Sequence, residues 1–335
     1  MLCGKCGGEN IEGARFCESC GAKLAAETAV SAGAIMSAAC RCGAGPEKTD
    51  AQGFCQQCGR RNAAESRSPL PRDHVEIELS PVFASVTDRG RKHHRNEDAC
   101  AISAESANGA AVSLLIVCDG VSSSQDADTA SETAVNATIE SLKSALQSPN
   151  LNAENAIKDA LIAAHRAVCK LPHSALTGKD PPLTTVVAAL ANANNAVIGW
   201  VGDSRAYLIA GDEIRQLTRD HSWVNMVVDA GEMPFEEAEQ SPQAHAITQC
   251  LGLWADGTPE DLPTPGILSI SLAPGSRLLL CTDGLWNYAP TPEALFALLA
   301  AAPEGETALE LARRLTDFAN AQGGHDNITV AVLSV

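Results

Sequence analysis

The chain has 335 residues and a formal net charge of −17, with 41 acidic residues against 24 lysines and arginines. Because such a field repels phosphate backbones and anionic lipids, it disfavours a nucleic-acid-binding or membrane-surface protein, and the largest basic run spans only residues 89–95. The first residues lack the basic start and apolar run of an export signal, and the apolar stretches are too short to span a bilayer. We therefore expect a cytoplasmic protein with no nucleic-acid and no membrane partner.

The first segment of the chain is rich in cysteine, with eight of the 13 cysteines before residue 59. They form two groups of paired residues: Cys3, Cys6, Cys17 and Cys20, then Cys40, Cys42, Cys55 and Cys58. Thiols stay reduced in the cytoplasm, and four thiolates suit a closed tetrahedral site, so the spacing favours two structural Zn²⁺ ions over disulfides or redox pairs. We predict zinc ribbons at 1–24 and 39–60, linkers at 25–38 and 61–75, and a protein partner for the ribbons.

The remainder of the chain alternates between strand-like and helix-like periods. Strand-like runs occur at 112–118, 185–190, 196–201, 206–209, 267–272, 277–281 and 328–332, and helical spacing occurs at 128–146, 153–171, 292–299 and 306–321. Strands in pairs and helices in pairs indicate a layered α+β domain rather than a repeated βαβ unit. Residues 222–246 are polar and irregular, and we interpret them as an insertion at the edge of the domain.

Isolated carboxylates recur beside the apolar strands. They are Glu97, Asp98, Asp119 before Gly120, Asp203, Asp283 before Gly284, and Asp326. A single Asp-Gly pair is most often a turn, but five acidic stations, with the adjacent Glu97 and Asp98 counted as one, are harder to explain by turns alone. Mg²⁺ and Mn²⁺ prefer oxygen ligands, and a pair of such ions activates water and clamps phosphoryl oxygens. The pattern is therefore the one expected of a site for divalent cations, as metal-assisted hydrolysis of a phosphate ester would require.

The motifs over residues 80–335 resemble, in order and spacing, the metal-dependent protein phosphatases of type 2C. They are Thr87-Asp88-Arg89-Gly90, Asn96-Glu97-Asp98, Asp119-Gly120, Gly202-Asp203-Ser204-Arg205, Leu217-Thr218-Arg219-Asp220-His221-Ser222, Ile247-Thr248-Gln249-Cys250-Leu251-Gly252, Asp283-Gly284-Leu285-Trp286 and Asp326-Asn327-Ile328-Thr329. So many matches in sequence order make the resemblance specific. It implies, for residues 76–335, a four-layer α-β-β-α sandwich of two antiparallel sheets flanked by helices.

The resemblance also implies a centre of two Mn²⁺ or Mg²⁺ ions. Asp119 would bridge the two ions as the central catalytic ligand, and the carbonyl of Gly120 would hold one of them. Asp283 and Asp326 would complete the other site.

The remaining acidic positions would have lesser roles by the same resemblance. Glu97 and Asp98 would act mostly through bound water, and Asp203 would join Asp283 in a weaker third metal site. Residues 222–246 would form a flap beside the site. The substrates would be proteins carrying phosphoserine or phosphothreonine, and a Ser/Thr protein kinase would be the counterpart enzyme.

Two departures from the family pattern concern the phosphate and the leaving group. His93 occupies the position of an arginine that grips the phosphate, and imidazole binds phosphate more weakly than a bidentate guanidinium. We predict that His93 contacts the phosphate, with Arg91 or Arg95 as substitutes. Val121 replaces the histidine that some members use as a general acid, so a water would protonate the leaving oxygen.

Two other functions remain open at this point. One is a catalytically weak or inactive phosphoprotein-binding scaffold, which the weaker phosphate grip would produce. The other is a nucleic-acid-binding zinc protein with a structural α/β domain, which the absence of a basic face disfavours. The full set of carboxylates favours the enzyme over the scaffold.

Overall fold

The computed structural model of the protein describes residues 72–174, 178–252, 262–300, 303 and 305–335, together with Gly45 alone. The chain divides into two units, Met1–Ser66 and Arg67–Val335, and every described residue except Gly45 belongs to the second unit. The eight cysteines predicted to bind zinc, the linker at 25–38 and most of the linker at 61–75 lie outside the described residues.

The described residues form runs of strands separated by runs of helices. The strands are β1 (His74–Ser80), β2 (Phe83–Asp88), β3 (Ala99–Ala107), β4 (Ala110–Cys118), β5 (Leu183–Thr184), β6 (Val186–Ala191), β7 (Asn195–Val201), β8 (Arg205–Ala210), β9 (Glu213–Gln216), β10 (Leu251–Gly252), β11 (Gly266–Ser271), β12 (Arg277–Cys281) and β13 (Ile328–Ser334). The helices are α1 (Ala127–Ala145), α2 (Ala153–Val168), α3 (Trp223–Asp229), α4 (Phe235–Ala238), α5 (Asp283–Trp286), α6 (Pro292–Leu299) and α7 (Ala308–Gln322).

Most strands belong to two antiparallel sheets. Sheet A has the order β1-β2-β13-β12-β8-β9 and sheet B the order β11-β7-β6-β4-β3, and every adjacent pair in them runs antiparallel. Strands β5 and β10 form a separate short pair. This arrangement matches the predicted α+β class.

The alternation of side chains along the central strands produces the layers. In β4, Leu115 and Val117 pack with Leu278 of sheet A, whereas Leu114 and Ile116 pack against α1 and α2. In sheet A, Leu279 and Cys281 of β12 face the other way, into a cluster with α6 and α7. Because both faces of these strands are buried, their sequences are continuous apolar runs. The predicted sandwich of two antiparallel sheets flanked by helices is confirmed.

Local capping explains where several helices begin. Asn152 accepts a hydrogen bond from the backbone N–H of Asn155 at the start of α2, and Thr307 and Glu310 form a reciprocal capping box at the start of α7. No helix among the described residues is long and apolar enough to cross a membrane.

Two predicted boundaries need correction. The linker predicted at 61–75 extends too far, because Arg72 and Asp73 pack on the domain and β1 already begins at His74. Residues 222–246 are also not irregular throughout. Helices α3 and α4 lie within this segment, Ser222 caps α3, and Val224, Val227 and Ala238 form a small apolar cluster. The two helices could not be predicted from the sequence because each is too short to show a full apolar period.

Candidate metal centre

The strand register brings the predicted carboxylates to one end of the sandwich. In sheet B, Ala99 at the start of β3 pairs with Cys118 at the end of β4, so Asp98 and Asp119 are neighbours. In sheet A, Cys281 at the end of β12 pairs with Val330 of β13 and with Arg205 of β8. The same geometry therefore places Asp283, Asp326 and Asp203 at the corresponding end of sheet A.

Asp119 lies at the centre of these carboxylates. Burial raises the pKa of Asp119 well above its usual value, and the negative charges of Asp98, Asp283, Asp326 and Asp203 raise it further. Its backbone is fixed, since its carbonyl accepts hydrogen bonds from Thr184 Oγ1 at 2.7 Å and from the N–H of Thr185 at 2.8 Å. Asp119 therefore occupies the position where added positive charge would have the greatest effect.

The neighbouring carboxylates show the same electrostatic stress. Burial, followed by smaller contributions that include the charge of Asp326, raises the pKa of Asp98 to about 7. Burial and the charge of Asp220 raise the pKa of Asp203 to about 6. The pKa of Asp283 is also raised well above its usual value, by burial and then by Asp326. Like-charged carboxylates that are crowded and desolvated in this way favour protons or cations.

Two carboxylate oxygens have no hydrogen-bond partner among the described residues. They are Oδ1 of Asp98 and Oδ1 of Asp283, and both are buried. The other oxygen of Asp98 accepts hydrogen bonds from Thr282 Oγ1 at 2.9 Å and Thr329 Oγ1 at 2.7 Å, which fixes the orientation of the carboxylate. A buried oxygen without a partner is costly, and cations bound at this cluster would offset that cost directly or through bound water.

The donor set is that of hard divalent cations, with protein oxygens and room for water. Within the described ranges, no three His, Cys, Asp or Glu side chains are arranged as a complete ligand set for one ion. The carboxylates alone do not complete such a shell, so a backbone carbonyl and water would have to be part of it. The residues fit a Mn²⁺ or Mg²⁺ centre of that kind.

Two glycines allow the acidic segments to approach one another. A Cβ atom at Gly120 would lie 2.6 Å from the carbonyl oxygen of Glu97, and one at Gly284 would lie 1.9 Å from that of Asn327. Both distances are shorter than any van der Waals contact, so only glycine fits. The Asp-Gly pairs therefore have a packing function that differs from an ordinary turn.

His93 lies at the rim of the carboxylate cluster. Its Nε2 is 3.2 Å from Asp326 Oδ1 and its Nδ1 is 3.8 Å from Glu97 Oε2. The side chain is 27 % exposed, so solvent can still reach it. The two arginines considered as substitutes make other contacts: Arg91 donates to the carbonyl of Asn320 at 2.9 Å, and Arg95 lies 4.0 Å from Asp128.

Several residues that shape the site were not identified from the sequence. Thr282 and Thr329 hold Asp98, and Ser122 Oγ donates to Glu97 Oε2 at 2.5 Å. Asn327 ties the acidic segment to the last strand, because its Oδ1 accepts from the N–H of Glu97 at 2.7 Å and its Nδ2 donates to the carbonyl of Arg95 at 2.9 Å. Its position next to Asp326 was the only sequence signal for this role.

A cavity of about 610 Å³ adjoins the cluster at Asp203 and Asp283 and extends to α3 and α4. Its wall includes Arg205, whose guanidinium lies 3.8 Å from the centre of the Trp286 ring. The same guanidinium forms a bidentate ion pair with Asp220, with a shortest N–O distance of 2.7 Å. The cavity gives a substrate access to the carboxylates from the side of the inserted helices.

Comparison with known proteins agrees with this architecture. The model of the protein phosphatase 2C family matches residues 88–319. The chain is 33 % identical over 251 residues to the serine/threonine phosphatase stp of Listeria innocua, covering 74 % of this chain and 93 % of that protein. A solved serine/threonine phosphatase of S. agalactiae superposes with a TM-score of 0.60 at 28 % identity, covering 78 % of this chain and 100 % of that one.

A second solved structure bears on the metal. It is the catalytic domain of the serine/threonine protein phosphatase PstP in complex with two manganese ions, with a TM-score of 0.56, 28 % identity, and coverage of 78 % of this chain and 98 % of that one. By fold and by likeness, the chain is an enzyme of the serine/threonine phosphatase class. It belongs to the protein phosphatase 2C family, whose model spans more than two thirds of its length.

Proposed function

We propose that the protein hydrolyses phosphoserine and phosphothreonine esters in proteins, using a centre of two Mn²⁺ or Mg²⁺ ions. The observation that carries the proposal is the cluster of Asp98, Asp119, Asp283 and Asp326 at one end of the sandwich, where two buried oxygens have no partner among the described residues. Bound ions would supply an activated water and charge stabilisation for the phosphoryl oxygens. The likeness to a phosphatase that binds two manganese ions supports the same assignment.

The chain's own residues divide the remaining tasks. Asp119 and the carbonyl of Gly120 would hold the centre from sheet B, and Asp283 and Asp326 from sheet A. Glu97 and Asp98 would orient water, and Asp203 with Asp283 would hold a third, weaker ion. Val121 has no proton to donate, so the leaving oxygen would take its proton from water.

The electrostatic repulsion among the carboxylates of the site disfavours the alternative of an inactive scaffold. Burial and mutual repulsion of Asp119 and its neighbours destabilise the fold, and a scaffold that only reads phosphoproteins would have no use for them. The nucleic-acid alternative is disfavoured by the family membership. We infer a cytoplasmic enzyme that acts on phosphoproteins and opposes a Ser/Thr protein kinase.

Hydrolysis should depend on divalent cation. Full-length protein dialysed into metal-free buffer should release almost no phosphate from a phosphothreonine peptide, and addition of Mn²⁺ or Mg²⁺ should restore turnover by at least about 100-fold. Mn²⁺ should also raise the unfolding temperature, because it binds only the folded carboxylate cluster. Turnover that is equal with and without added cation, after metal analysis shows neither ion bound, would refute the proposal.

His93 should set the affinity for the phosphate. His93→Arg should lower the KM for the peptide by about tenfold. A guanidinium can donate two hydrogen bonds to the phosphate, and this charged pair is stronger by about 1.5 kcal/mol than the contact of an imidazole. His93→Gln should raise the KM. The matched control is His173→Arg, which adds the same charge at an exposed position. If neither change at residue 93 alters the KM, His93 does not contact the phosphate.

We propose that the eight N-terminal cysteines bind two structural zinc ions in ribbons that recognise a protein partner or regulate the enzyme. The support is the spacing of the cysteine pairs. Elemental analysis of the purified protein should give two zinc ions per chain, and the double change Cys17→Ser, Cys20→Ser should give one. Cys169→Ser is the control, because this half-buried cysteine belongs to neither group. A zinc content near zero in the wild type would refute the ribbons.

A further inference from the structure

The guanidinium of Arg72 is the centre of an extensive hydrogen-bond network at the entry to the domain. Nε donates to the carbonyl of Asn96 at 2.9 Å, Nη1 to Glu132 Oε2 at 2.7 Å, and Nη2 to the carbonyls of Asp98 at 3.0 Å and Asp128 at 2.9 Å and to Ser131 Oγ at 3.1 Å. The backbone of Arg72 is fixed as well, because its carbonyl accepts from Asn96 Nδ2 at 3.0 Å. The residue lies within the stretch that the sequence pattern assigns to a linker.

Arg72 and Ser131 together hold three consecutive carbonyls of the acidic segment 96–98. Arg72 holds the carbonyls of Asn96 and Asp98, and Ser131 Oγ donates to that of Glu97 at 2.6 Å. Ser131 lies on α1 and is fully buried. The segment is thereby tied to the first turns of α1 through every one of its carbonyls.

The segment needs such support because it has no regular secondary structure. A buried irregular backbone must find partners for its carbonyls outside a helix or sheet ladder. Arginine suits this task better than lysine, because its planar group carries five N–H donors in a fixed geometry. The side chains of the same segment, Glu97 and Asp98, face the carboxylate cluster, and Asp98 carries one of the two oxygens without a partner.

We propose that Arg72 is a positioning residue for the metal centre: by gripping the backbone of residues 96–98 it fixes Glu97 and Asp98 opposite Asp119 and Asp326. This inference rests on the metal-dependent function proposed above. It also gives a role in the centre to a residue that the sequence pattern assigned to a linker.

The test measures Mn²⁺ affinity by calorimetry on the full-length chain, with Asp119→Asn defining the signal from any other Mn²⁺ site. Arg72→Gln should weaken Mn²⁺ binding by about 10- to 100-fold, the range found when groups that orient metal ligands are removed. Arg72→Lys should bind Mn²⁺ nearly as weakly as Arg72→Gln. A single ammonium group cannot reach all the acceptors of the guanidinium, which lie in residues 96–98 and in α1. The matched control is Arg313→Gln, which removes a bidentate ion pair to Glu76 on β1 and should leave Mn²⁺ affinity unchanged.

A second variant keeps the test decisive if Arg72→Gln does not fold. Ser131→Ala removes the donor to the Glu97 carbonyl and should weaken Mn²⁺ binding several-fold, with the peptide KM unchanged at saturating Mn²⁺. Normal Mn²⁺ affinity in a folded Arg72→Gln or Ser131→Ala protein would overturn the inference while leaving the proposed function intact. A wild type that neither binds Mn²⁺ nor hydrolyses the peptide would instead refute the proposed function.

Discussion

Asp119→Asn should make the metal-free protein more stable at pH 8 and should lower Mn²⁺-dependent hydrolysis by at least about 100-fold. Both effects have one cause. Asp119 is half-buried among four other carboxyls, and desolvation and their charges raise its pKa, so its ionised form destabilises the fold until a cation neutralises it. The amide removes that repulsion and, with it, the negative charge proposed to bridge two ions.

The pH dependence of this stabilisation follows from the direction of the shift. A carboxyl whose pKa is higher in the folded state is neutral in both states at low pH and contributes no difference there. As pH rises above the unfolded value of about 3.9, the unfolded state ionises first, and stability falls until the folded carboxyl also ionises. Metal-free wild type and Asp119→Asn should therefore unfold at similar temperatures near pH 4 and diverge towards pH 8.

Thermal unfolding of dialysed protein between pH 4 and pH 8 measures the first effect, and peptide hydrolysis with Mn²⁺ the second. Each kcal/mol of repulsion removed should raise the unfolding temperature by about 2–4 °C in a domain of this size. Asp212→Asn is the matched control, since Asp212 is exposed in the turn between β8 and β9. A metal-free Asp119→Asn that is less stable than wild type at pH 8 would contradict the repulsion described for the cluster.

Gly284→Ala should destabilise the protein by about 3 kcal/mol or more and should weaken Mn²⁺ binding. The new Cβ would lie 1.9 Å from the carbonyl oxygen of Asn327, a backbone atom that no rotamer change can move aside. Relief of the clash requires the start of α5 to move away from residues 326–327. That movement would separate Asp283 from Asp326, the two carboxylates proposed to share one ion.

Gly211→Ala is the control for this substitution. A Cβ at Gly211 meets nothing within 4 Å, and the positive φ of 57° costs about 1 kcal/mol for alanine. Denaturant unfolding and Mn²⁺ calorimetry on both variants separate the close approach from the general cost of replacing glycine. Equal losses of stability, with normal Mn²⁺ affinity at Gly284→Ala, would show that the close approach does not hold the two aspartates together.

The elements that could be predicted are those whose apolar residues follow a regular pattern over a long stretch of consecutive residues. The apolar period of helix α2 predicts its start where it lies, at Ala153, and the continuous apolar runs predict the central strands. The sequence pattern did not predict strands β1, β2, β3, β5, β9 and β10. Strand β1 lies at the edge of sheet A with alternating charged residues, and β3 consists largely of small side chains.

The same distinction holds for the site. Asp119 and Asp283 could be found because each follows a recognisable strand and precedes a glycine. The groups that orient Asp98 could not, because Thr282 and Thr329 are separated from it by 184 and 231 positions in the chain. Arg72 was hidden for another reason, since an arginine in a stretch without periodicity gives no sign of the acceptors that it meets.

The two halves of the carboxylate cluster come from different sheets, Asp98 and Asp119 from sheet B and Asp283 and Asp326 from sheet A. A cation bound by carboxylates of both sheets would link the two sheets. The sheets could then separate only after the cation had dissociated. The lifetime of the enzyme in a protease-containing cell would then rise with the supply of divalent cation, apart from any change in turnover. Limited proteolysis at increasing Mn²⁺ concentration would show this as slower cleavage, and an unchanged cleavage rate would exclude it. Cation shortage would thus lower the amount of the phosphatase as well as its rate.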